Sequence, residues 1–308
     1  MLTGGVGGAR FLRGLSALID PAALTVIANT ADDEEFFGLH VSPDLDTALY
    51  TLAGRAPRVQ GWGVAGDSFA CLATLASLGE PAWFRLGDRD LAVHLLRTAW
   101  LRRGIPLSRV TARLARAYGL RSRLLAMTDA RVRTYIHTDV GRLPFQAYLV
   151  RDRARHRVRR ITIAGAHRAV PGPGVLAALG GARATIIAPS NPLVSIGPML
   201  AIPALRAALR RRRGRTVAIS PLVGGRAVRG PLHRMLRGLG LPASVPTVAR
   251  LYRGLIDTLV IDRADATAAP TVQALGIRPI ITDTVMATPA HARRLAATVL
   301  RALDGPAP

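Results

Sequence analysis

The sequence of 308 residues contains no lysine, so all 42 of its basic residues are arginines. Only 19 residues are acidic, which leaves a formal net charge of +23. A charge of this size is typical of proteins that bind nucleic acid or an anionic membrane surface. The arginines are scattered, however, with short clusters only at 151–160 and 210–215, and alanine is abundant. This pattern is more typical of genomic codon bias, and we expect the charge to attract phosphorylated substrates rather than nucleic acid.

Cysteine occurs once, at Cys71, which excludes a disulfide scaffold and a cysteine-rich metal site. Cys71 lies in the apolar run 69–75, and we expect it to be a small buried core residue. The chain has no segment typical of a signal peptide and no apolar run near the roughly 20 residues that a membrane helix needs. We therefore expect a cytoplasmic protein without a membrane partner, long enough to bury a sizeable core.

Short apolar runs alternate with helical patterns along most of the chain. Buried strands are predicted at 24–28, 185–188, 216–219, 258–261 and 279–282, and helices at 199–213, 231–239 and 290–303. This alternation predicts a doubly wound α/β fold with a mostly parallel sheet, whose ligands bind beyond the carboxyl ends of the strands. Polar loops follow three of the strands, beginning at Asn29, Pro189 and Ser220, and we expect the functional site there.

The middle of the chain has a different pattern. Helices are predicted at 90–103 and 107–118, and strands at 131–136, 145–151 and 157–163. We interpret residues 88–163 as a lobe inserted into a single domain that covers residues 1–308. Only three residues precede the glycine-rich loop described next, fewer than the five or six of a usual strand. We expect either a very short first strand or, preferably, a start codon placed too far downstream.

A glycine-rich loop opens the sequence, with Gly4, Gly5, Gly7 and Gly8 among five successive positions. Apolar residues at helical spacing follow it, so we predict a helix directly behind the loop. Glycine lets backbone N–H groups approach a phosphate, and the helix N-terminus favours the same anion. The spacing differs from that of the dinucleotide-binding fingerprint and of the P-loop. A tight turn that packs a helix against a strand is the alternative interpretation.

Acidic residues are concentrated in the segment 29–46, which holds Asp32, Asp33, Glu34, Glu35, Asp44 and Asp46. Asp44 and Asp46 follow Pro43, which favours extended backbone before it, and side chains two residues apart in extended backbone point to the same side. Two such carboxylates facing a diphosphate suit Mg²⁺, which binds few protein oxygens together with substrate phosphates. Alternatively, one of the two caps a helix over 47–53.

A second charged turn, at 86–90, follows Arg85 and precedes His94. Asp90 is placed to stabilise the start of the helix predicted there, and His94 is interpreted as a packed helix residue. Asp67 either adds a carboxylate to the acidic site or caps the next helix. The small-residue loops at 190–198 and 220–226 can line a nucleotide, although simple turns account for them equally well.

Taken together, these motifs resemble the 2-phospho-L-lactate transferases of coenzyme F420 biosynthesis, nearly from end to end. The matching segments are GGVGGAR, NTADD, HVSPDLDT, FRLGDRD, MTD, PSNPLVSIGP, SPLVGG and TDTVM. The combination of SPDLDT, LGDRD and PSNPxxSIGP in this order is highly specific. Some positions depart from the family pattern, among them Ala126 and Ala130 around MTD, and Arg85 where some members carry lysine.

The resemblance implies a Rossmann-like fold with an inserted, largely helical lobe, often as a homodimer. It also implies a reaction in which the terminal ribityl hydroxyl of the deazaflavin Fo attacks the distal phosphorus of a guanosine-diphosphate-linked donor and GMP leaves. The donor carries a phospholactyl, phosphoenolpyruvyl or 3-phosphoglyceryl group, and the arginine-rich composition favours the last two.

The resemblance also implies roles for particular residues. Asp44 and Asp46 are the implied catalytic residues, and Asp46 and Arg85 are the implied contacts to Fo. Mg²⁺ is the implied cofactor, held by Asp44, Asp46 and Asp67. The implied donor-nucleotide site consists of Gly4, Gly5, Gly7, Gly8, Asn29, Ser190 and Asn191. Three other functions stay open: another nucleotide-dependent transferase on the same scaffold, a non-catalytic protein that binds guanine nucleotide or deazaflavin, and, on charge alone, a nucleic-acid binder.

Overall fold

The structure is a computed structural model that describes residues 1–58, 60–212 and 214–304. The strands are β1 (Leu2–Thr3), β2 (Thr25–Ala28), β3 (Glu34–Phe36), β4 (Leu39–Val41), β5 (Arg123–Ala126), β6 (Arg133–Thr138), β7 (Gly141–Pro144), β8 (Val158–Ala164), β9 (Thr185–Ile187), β10 (Thr216–Ile219), β11 (Leu222–Val223), β12 (Arg226–Ala227), β13 (Thr258–Asp262) and β14 (Arg278–Thr282). The helices are α1 (Gly5–Ser16), α2 (Pro43–Leu52), α3 (Ala70–Ser77), α4 (Asp88–Arg102), α5 (Leu107–Ala117), α6 (Val175–Gly181), α7 (Gly197–Leu200), α8 (Pro203–Arg210), α9 (Leu232–Gly238), α10 (Val245–Leu251), α11 (Ala269–Ala274) and α12 (Pro289–Asp304).

The main sheet of the described chain has seven strands in the order β14-β13-β10-β9-β1-β2-β5, and every neighbouring pair is parallel. The chain proceeds outward from β1 through β2 to β5, and then from β9 through β10 and β13 to β14. The direction of progression therefore reverses between β1 and β9. In open α/β sheets this reversal leaves a crevice at the carboxyl ends of the two strands, where ligands bind. The predicted doubly wound α/β fold is confirmed.

Both faces of this sheet are covered, which explains why its strands are continuous apolar runs. Successive side chains of a strand point to opposite faces. In β2, Ile27 packs in one hydrophobic core beneath α7 to α11, and Val26 packs in a second beneath α1, α2 and α12. Burial on both faces leaves no position for an exposed polar residue in the strand centre.

Most of the predicted elements are confirmed, with two errors of type or length. The helix predicted over 199–213 is interrupted between α7 and α8, because Pro203 cannot continue a helix and instead starts a new one. Position 213 lies outside the described residues. The strand predicted at 145–151 is a helical segment with a π turn at Ala147–Arg151, in which Phe145 and Tyr148, three residues apart, are buried together.

The predicted lobe at 88–163 is divided in the structure. β5 lies inside this segment but pairs with β2 as the edge strand of the main sheet, so α4 and α5 belong to the connection between these strands. Only the later part forms a separate unit, a small antiparallel sheet in the order β7-β6-β8. The segment is thus not one continuous insertion, and its separate later part consists mainly of strands.

The prediction for Cys71 is wrong, because this residue is exposed on α3. Leu72 is the one buried residue of this apolar helix. Among the residues that the structure describes, no helix combines the length and the apolar character needed to cross a bilayer.

Candidate active site

A cavity of about 910 Å³ opens at the carboxyl ends of the central strands, at the point where the strand order reverses. Its walls come from the start of α1, from α2 and α4, from the segments after β9 and β10, and from the segment after β14. The predicted position of the site, in the polar loops beyond the strand ends, agrees with this cavity.

The glycines at the start of the chain form the first turn of α1 rather than a loop before it, because the helix begins at Gly5. A Cβ atom at Gly4 would lie 2.6 Å from Asp44 Oδ2, and one at Gly7 would lie 2.6 Å from the carbonyl oxygen of Pro189. At Gly8 it would clash with Thr3 Oγ1. Close packing thus requires glycine at these positions. Gly4, Gly5 and Gly7 also line the cavity, whereas Gly8 is buried away from it.

Asp44 is fixed against the start of α1. Its Oδ1 accepts a hydrogen bond of 2.7 Å from the N–H of Gly5, and its Oδ2 accepts one of 3.0 Å from Asn29 Nδ2. Asn29 is fully buried and thereby supports Asp44 rather than lining the cavity. Ser190 Oγ accepts a bond of 3.2 Å from the N–H of Gly4, so the segment after β9 is joined to the same turn.

Asp44 belongs to a group of buried acids with Asp32 and Asp33, of which Asp33 has His40 Nε2 at 3.0 Å from its Oδ2. Burial raises the pKa of Asp44 to about 6, against the opposing hydrogen bonds from Gly5 and Asn29. Burial and the neighbouring Asp44 also raise the pKa of Asp32 well above its usual range. One carboxylate oxygen of Asp32 and one of Asp33 are buried without a hydrogen-bond partner in the described part of the chain. Repelling carboxylates with free oxygens fit a hard cation such as Mg²⁺.

Asp44 and Asp46 do not point to the same side, so that prediction is wrong. Both lie in the first turn of α2, which begins at Pro43, and residues two apart on a helix are separated by roughly 200°. The alternative, a cap for a helix that starts at 47, is also wrong. As first-turn acids, both carboxylates instead favour the helix dipole.

Asp46 is held by Arg97 of α4, a residue that sequence reasoning did not single out. Arg97 is 2% exposed, and its Nη1 donates to Asp46 Oδ2 at 2.9 Å while its Nη2 contacts Oδ1. Burial acts to lower the pKa of Arg97, but the carboxylate of Asp46 outweighs it and raises that pKa. The pair fixes the orientation of Asp46 and neutralises its charge inside the protein.

Asp90 and His94 lie beside this pair and also line the cavity. His94 Nε2 is 3.2 Å from Asp90 Oδ1, and its Nδ1 is 3.7 Å from Asp46 Oδ2. The hydroxyl of Tyr50 donates to Asp90 Oδ1 at 2.5 Å. Ligand atoms of Asp46, Asp90 and His94 are close enough to hold a metal, but Arg97 already contacts both oxygens of Asp46. His94 is therefore more than a packed helix residue, and the shared helix face of positions 90, 94 and 97 is the sequence signal for it.

Asp67 is engaged at the start of α4 and does not line the cavity. Its carboxylate accepts hydrogen bonds of 2.8 Å from the N–H of Arg89 and 3.1 Å from that of Asp90. In return, Asp88 accepts bonds from the N–H groups of Ala70 and Cys71 at the start of α3. Asp67 is thus a helix cap, but of α4 rather than of the next helix, α3, which Asp88 caps.

Aromatic side chains form the wall on the side of Arg85. Phe36 and Phe84 stack with ring centroids 4.0 Å apart, and Trp83 packs edge-on against both. Trp83, Phe84 and Arg85 line the cavity, and the guanidinium of Arg85 lies 4.3 Å from the ring of Phe69. A wall of this composition suits a flat aromatic ligand.

The comparisons with known proteins identify the family of this chain. The family model described as 2-phospho-L-lactate transferase CofD matches residues 1–300. Similar relatives named phosphoenolpyruvate transferase include those of Streptomyces griseus (44% identical, 96% of each chain covered) and Mycolicibacterium smegmatis (38% identical, 92% of this chain and 93% of the relative). A solved structure of a UPF0052 family member from Bacillus halodurans shares the fold, with a TM-score of 0.62 at 16% identity over 97% of each chain. The chain therefore belongs to the 2-phospho-L-lactate transferase CofD family, the transferases of phosphate-containing groups in coenzyme F420 biosynthesis.

Proposed function

We propose that this protein transfers a phosphoenolpyruvyl group from a guanosine-diphosphate-linked donor to the terminal ribityl hydroxyl of Fo, with release of GMP. The observation that carries the proposal is one cavity that joins an aromatic wall, buried acids and a glycine-rich helix start at the reversal of the strand order. The names of the relatives favour phosphoenolpyruvyl among the three acids that the sequence left open.

The two substrates have separate parts of the cavity in this proposal. The N–H groups of Gly4 and Gly5 already donate to Ser190 and Asp44, so the next N–H groups of the first turn, those of Val6 and Gly7, bind the diphosphate, together with the polar groups of Ser190 and Asn191. The deazaflavin ring lies against Trp83 and Phe84, with Arg85 at its edge. A volume of about 910 Å³ is at the upper end for ligand pockets, as two substrates require.

The buried acids have two different roles in this proposal. Asp32 and Asp44 would hold Mg²⁺, which when bound neutralises the charge of the diphosphate. Asp46, oriented by Arg97, accepts the hydrogen bond of the attacking ribityl hydroxyl and takes up its proton as the new O–P bond forms. A weak base suffices, because phosphoryl-type transfer depends on positioning and charge neutralisation more than on proton removal.

The test is incubation of the purified protein with Fo, Mg²⁺ and each of the three guanylated donors, followed by mass spectrometry. We expect the phosphodiester of Fo with phosphoenolpyruvate, and an Asp44→Asn variant serves as the inactive control. A product from another donor would change only the identity of the acid. Binding of Fo and guanine nucleotide without any phosphodiester product would instead show a non-catalytic binding protein.

A further inference from the structure

A row of polar side chains joins α2 to α4 beside the cavity. It consists of Asp46 and Tyr50 on α2 and of Asp90, His94 and Arg97 on α4. Residues at these spacings share one face of a helix, so the two helices present polar faces to each other. The hydrogen bond from Tyr50 to Asp90 is one connection between the helices. The contacts of Arg97 with Asp46 are the other, and His94 lies between the two.

The position of the ring proton of His94 follows from its contact with Arg97. His94 Nδ1 lies 3.3 Å from Arg97 Nη1, and the two side chains are 1% and 2% exposed. A guanidinium group has only donors, so Nδ1 must accept this hydrogen bond with its lone pair. The proton of the neutral imidazole then lies on Nε2.

Asp90 favours the same form of the ring. His94 Nε2 lies 3.2 Å from Asp90 Oδ1, the oxygen that also accepts the hydroxyl of Tyr50. Burial acts to raise the pKa of Asp90, but its contacts with His94 and Tyr50 outweigh burial and lower that pKa. An ionised carboxylate beside Nε2 stabilises a proton there, as the carboxylate partners of metal-bound histidines do. The two nitrogens of His94 therefore require the same tautomer.

The contact with His94 completes the acceptors around the guanidinium of Arg97. Nη1 carries two hydrogens, and one of them is donated to Asp46 Oδ2 at 2.9 Å. The other is left for His94 Nδ1 and, at 3.5 Å, for the carbonyl oxygen of His40. Nη2 contacts the second carboxylate oxygen of Asp46. Because a guanidinium is rigid and planar, these acceptors fix its plane, and the carboxylate of Asp46 is fixed with it.

We propose that His94 is a positioning residue for the transfer: with its proton on Nε2, it accepts a hydrogen bond from Arg97 and thereby sets the orientation in which Asp46 meets the attacking hydroxyl. This inference rests on the proposed function, in which Asp46 accepts the hydrogen bond of that hydroxyl. Without the acceptor at Nδ1, the guanidinium and the carboxylate can rotate together. The loss should affect the reaction step more than binding, because a misplacement of about 1 Å can lower a rate by roughly 100-fold.

The experiment compares three substitutions of His94 that differ in the acceptor they retain. His94→Asn places an amide oxygen near the position of Nδ1, His94→Gln places its amide near the position of Nε2, and His94→Phe keeps the ring without either nitrogen. We expect kcat to fall roughly 10- to 100-fold in His94→Phe and His94→Gln, while the Kd of Fo from isothermal titration stays within about threefold. His94→Asn should retain kcat within about fivefold of the wild type, because the acceptor for Arg97 is restored.

Two further measurements separate positioning from a structural role. His137→Phe removes a half-buried histidine of β6 that contacts Thr162 Oγ1 and does not line the cavity, and it should leave kcat unchanged. Nitrogen-15 NMR of protein labelled at histidine reports the tautomer without any substrate. The ring signals that disappear in His94→Asn should be those of a neutral imidazole with its proton on Nε2.

A kcat within about threefold of the wild type in His94→Phe would overturn the inference, as would equal losses in His94→Asn and His94→Gln. A proton on Nδ1 in the NMR spectrum would also overturn it. If His94→Phe does not fold, Tyr50→Phe keeps the ring of Tyr50 and removes the hydroxyl that holds Asp90. A kcat unchanged in both Tyr50→Phe and His94→Gln would then refute the positioning role.

The result for the wild type distinguishes this inference from the proposed function. A wild type that forms no phosphodiester with any guanylated donor refutes the proposed function. Product formation by the wild type together with an unaffected His94→Phe variant refutes the role of His94 alone.

Discussion

The buried pair of Asp46 and Arg97 allows stability and catalysis to be separated in one set of variants. In Asp46→Ala, the guanidinium of Arg97, which is 2% exposed, loses the carboxylate that contacts it through two N–H groups. An uncompensated buried charge of this kind destabilises a protein by about 3–5 kcal/mol. For a chain of 308 residues, with an unfolding entropy of roughly 2.1 cal/mol/K per residue, the melting temperature should fall by roughly 5–8 °C.

The matched control removes both charges. Asp46→Leu combined with Arg97→Met replaces the pair by apolar groups, and such replacements are often neutral or stabilising. We therefore expect a melting temperature close to that of the wild type in the double variant. Transfer to Fo should be lost in both variants, because each lacks the carboxylate that we propose to orient the hydroxyl. Scanning calorimetry and the product assay on the three proteins measure the two effects separately.

Two results would refute the reasoning about this pair. If Asp46→Ala lowers stability by less than about 1 kcal/mol, Arg97 does not depend on this carboxylate for its burial. If the double variant is active within a few-fold of the wild type, Asp46 has no part in the transfer.

Three further predictions follow from the site. The pKa of Asp44 is about 6 in the folded protein against the usual 3.8, so binding of this proton stabilises the folded protein fully below pH ~4 and no longer by pH ~6. The difference in melting temperature between the wild type and Asp44→Asn, followed over this pH range, measures the contribution. Mg²⁺ should raise the melting temperature of the wild type at pH 7.5 but not at pH 5. Gly4→Ala should destabilise the protein by about 1–3 kcal/mol and abolish activity, because the new Cβ displaces Asp44. Gly180→Ala adds a Cβ in open space on α6 and should stabilise the protein by about 0.5–1 kcal/mol. Equal melting temperatures for the two variants would contradict this prediction. Asp67→Ala should lower the free energy of unfolding by about 1 kcal/mol, because a helix cap is lost, and should leave the Mg²⁺ dependence of the rate unchanged. A shifted Mg²⁺ dependence would show that Asp67 binds the metal.

Local patterns were sufficient to predict the fold class and the region of the site. Strands such as Thr216–Ile219 are buried on both faces and therefore form continuous apolar runs that can be recognised without the tertiary structure. Gly4, Gly5 and Gly7 and the polar residues Ser190 and Asn191 after β9 also line the cavity, whereas Gly8 does not. These features depend on short segments, whose conformation can be predicted from their own residues.

The errors concern properties that depend on partners distant in sequence. Pro43 is compatible with extended backbone before it and equally with the first position of a helix, and the packing of α2 decides between them. Cys71 lies in an apolar run, but α3 rests on the surface with little of its own face covered. Arg97 gains its role only when α4 packs beside Asp46, although its position seven residues after Asp90 marks a polar helix face that could have indicated it.

The most direct test of the central claim is to follow the reaction by phosphorus NMR with the phosphoenolpyruvyl donor, Fo and Mg²⁺. The account predicts that GMP and the new phosphodiester of Fo appear at equal rates, and that neither forms when Fo is omitted or when Asp46 is replaced by Leu together with Arg97→Met. Release of GMP without incorporation of Fo, or no consumption of any guanylated donor, would contradict it.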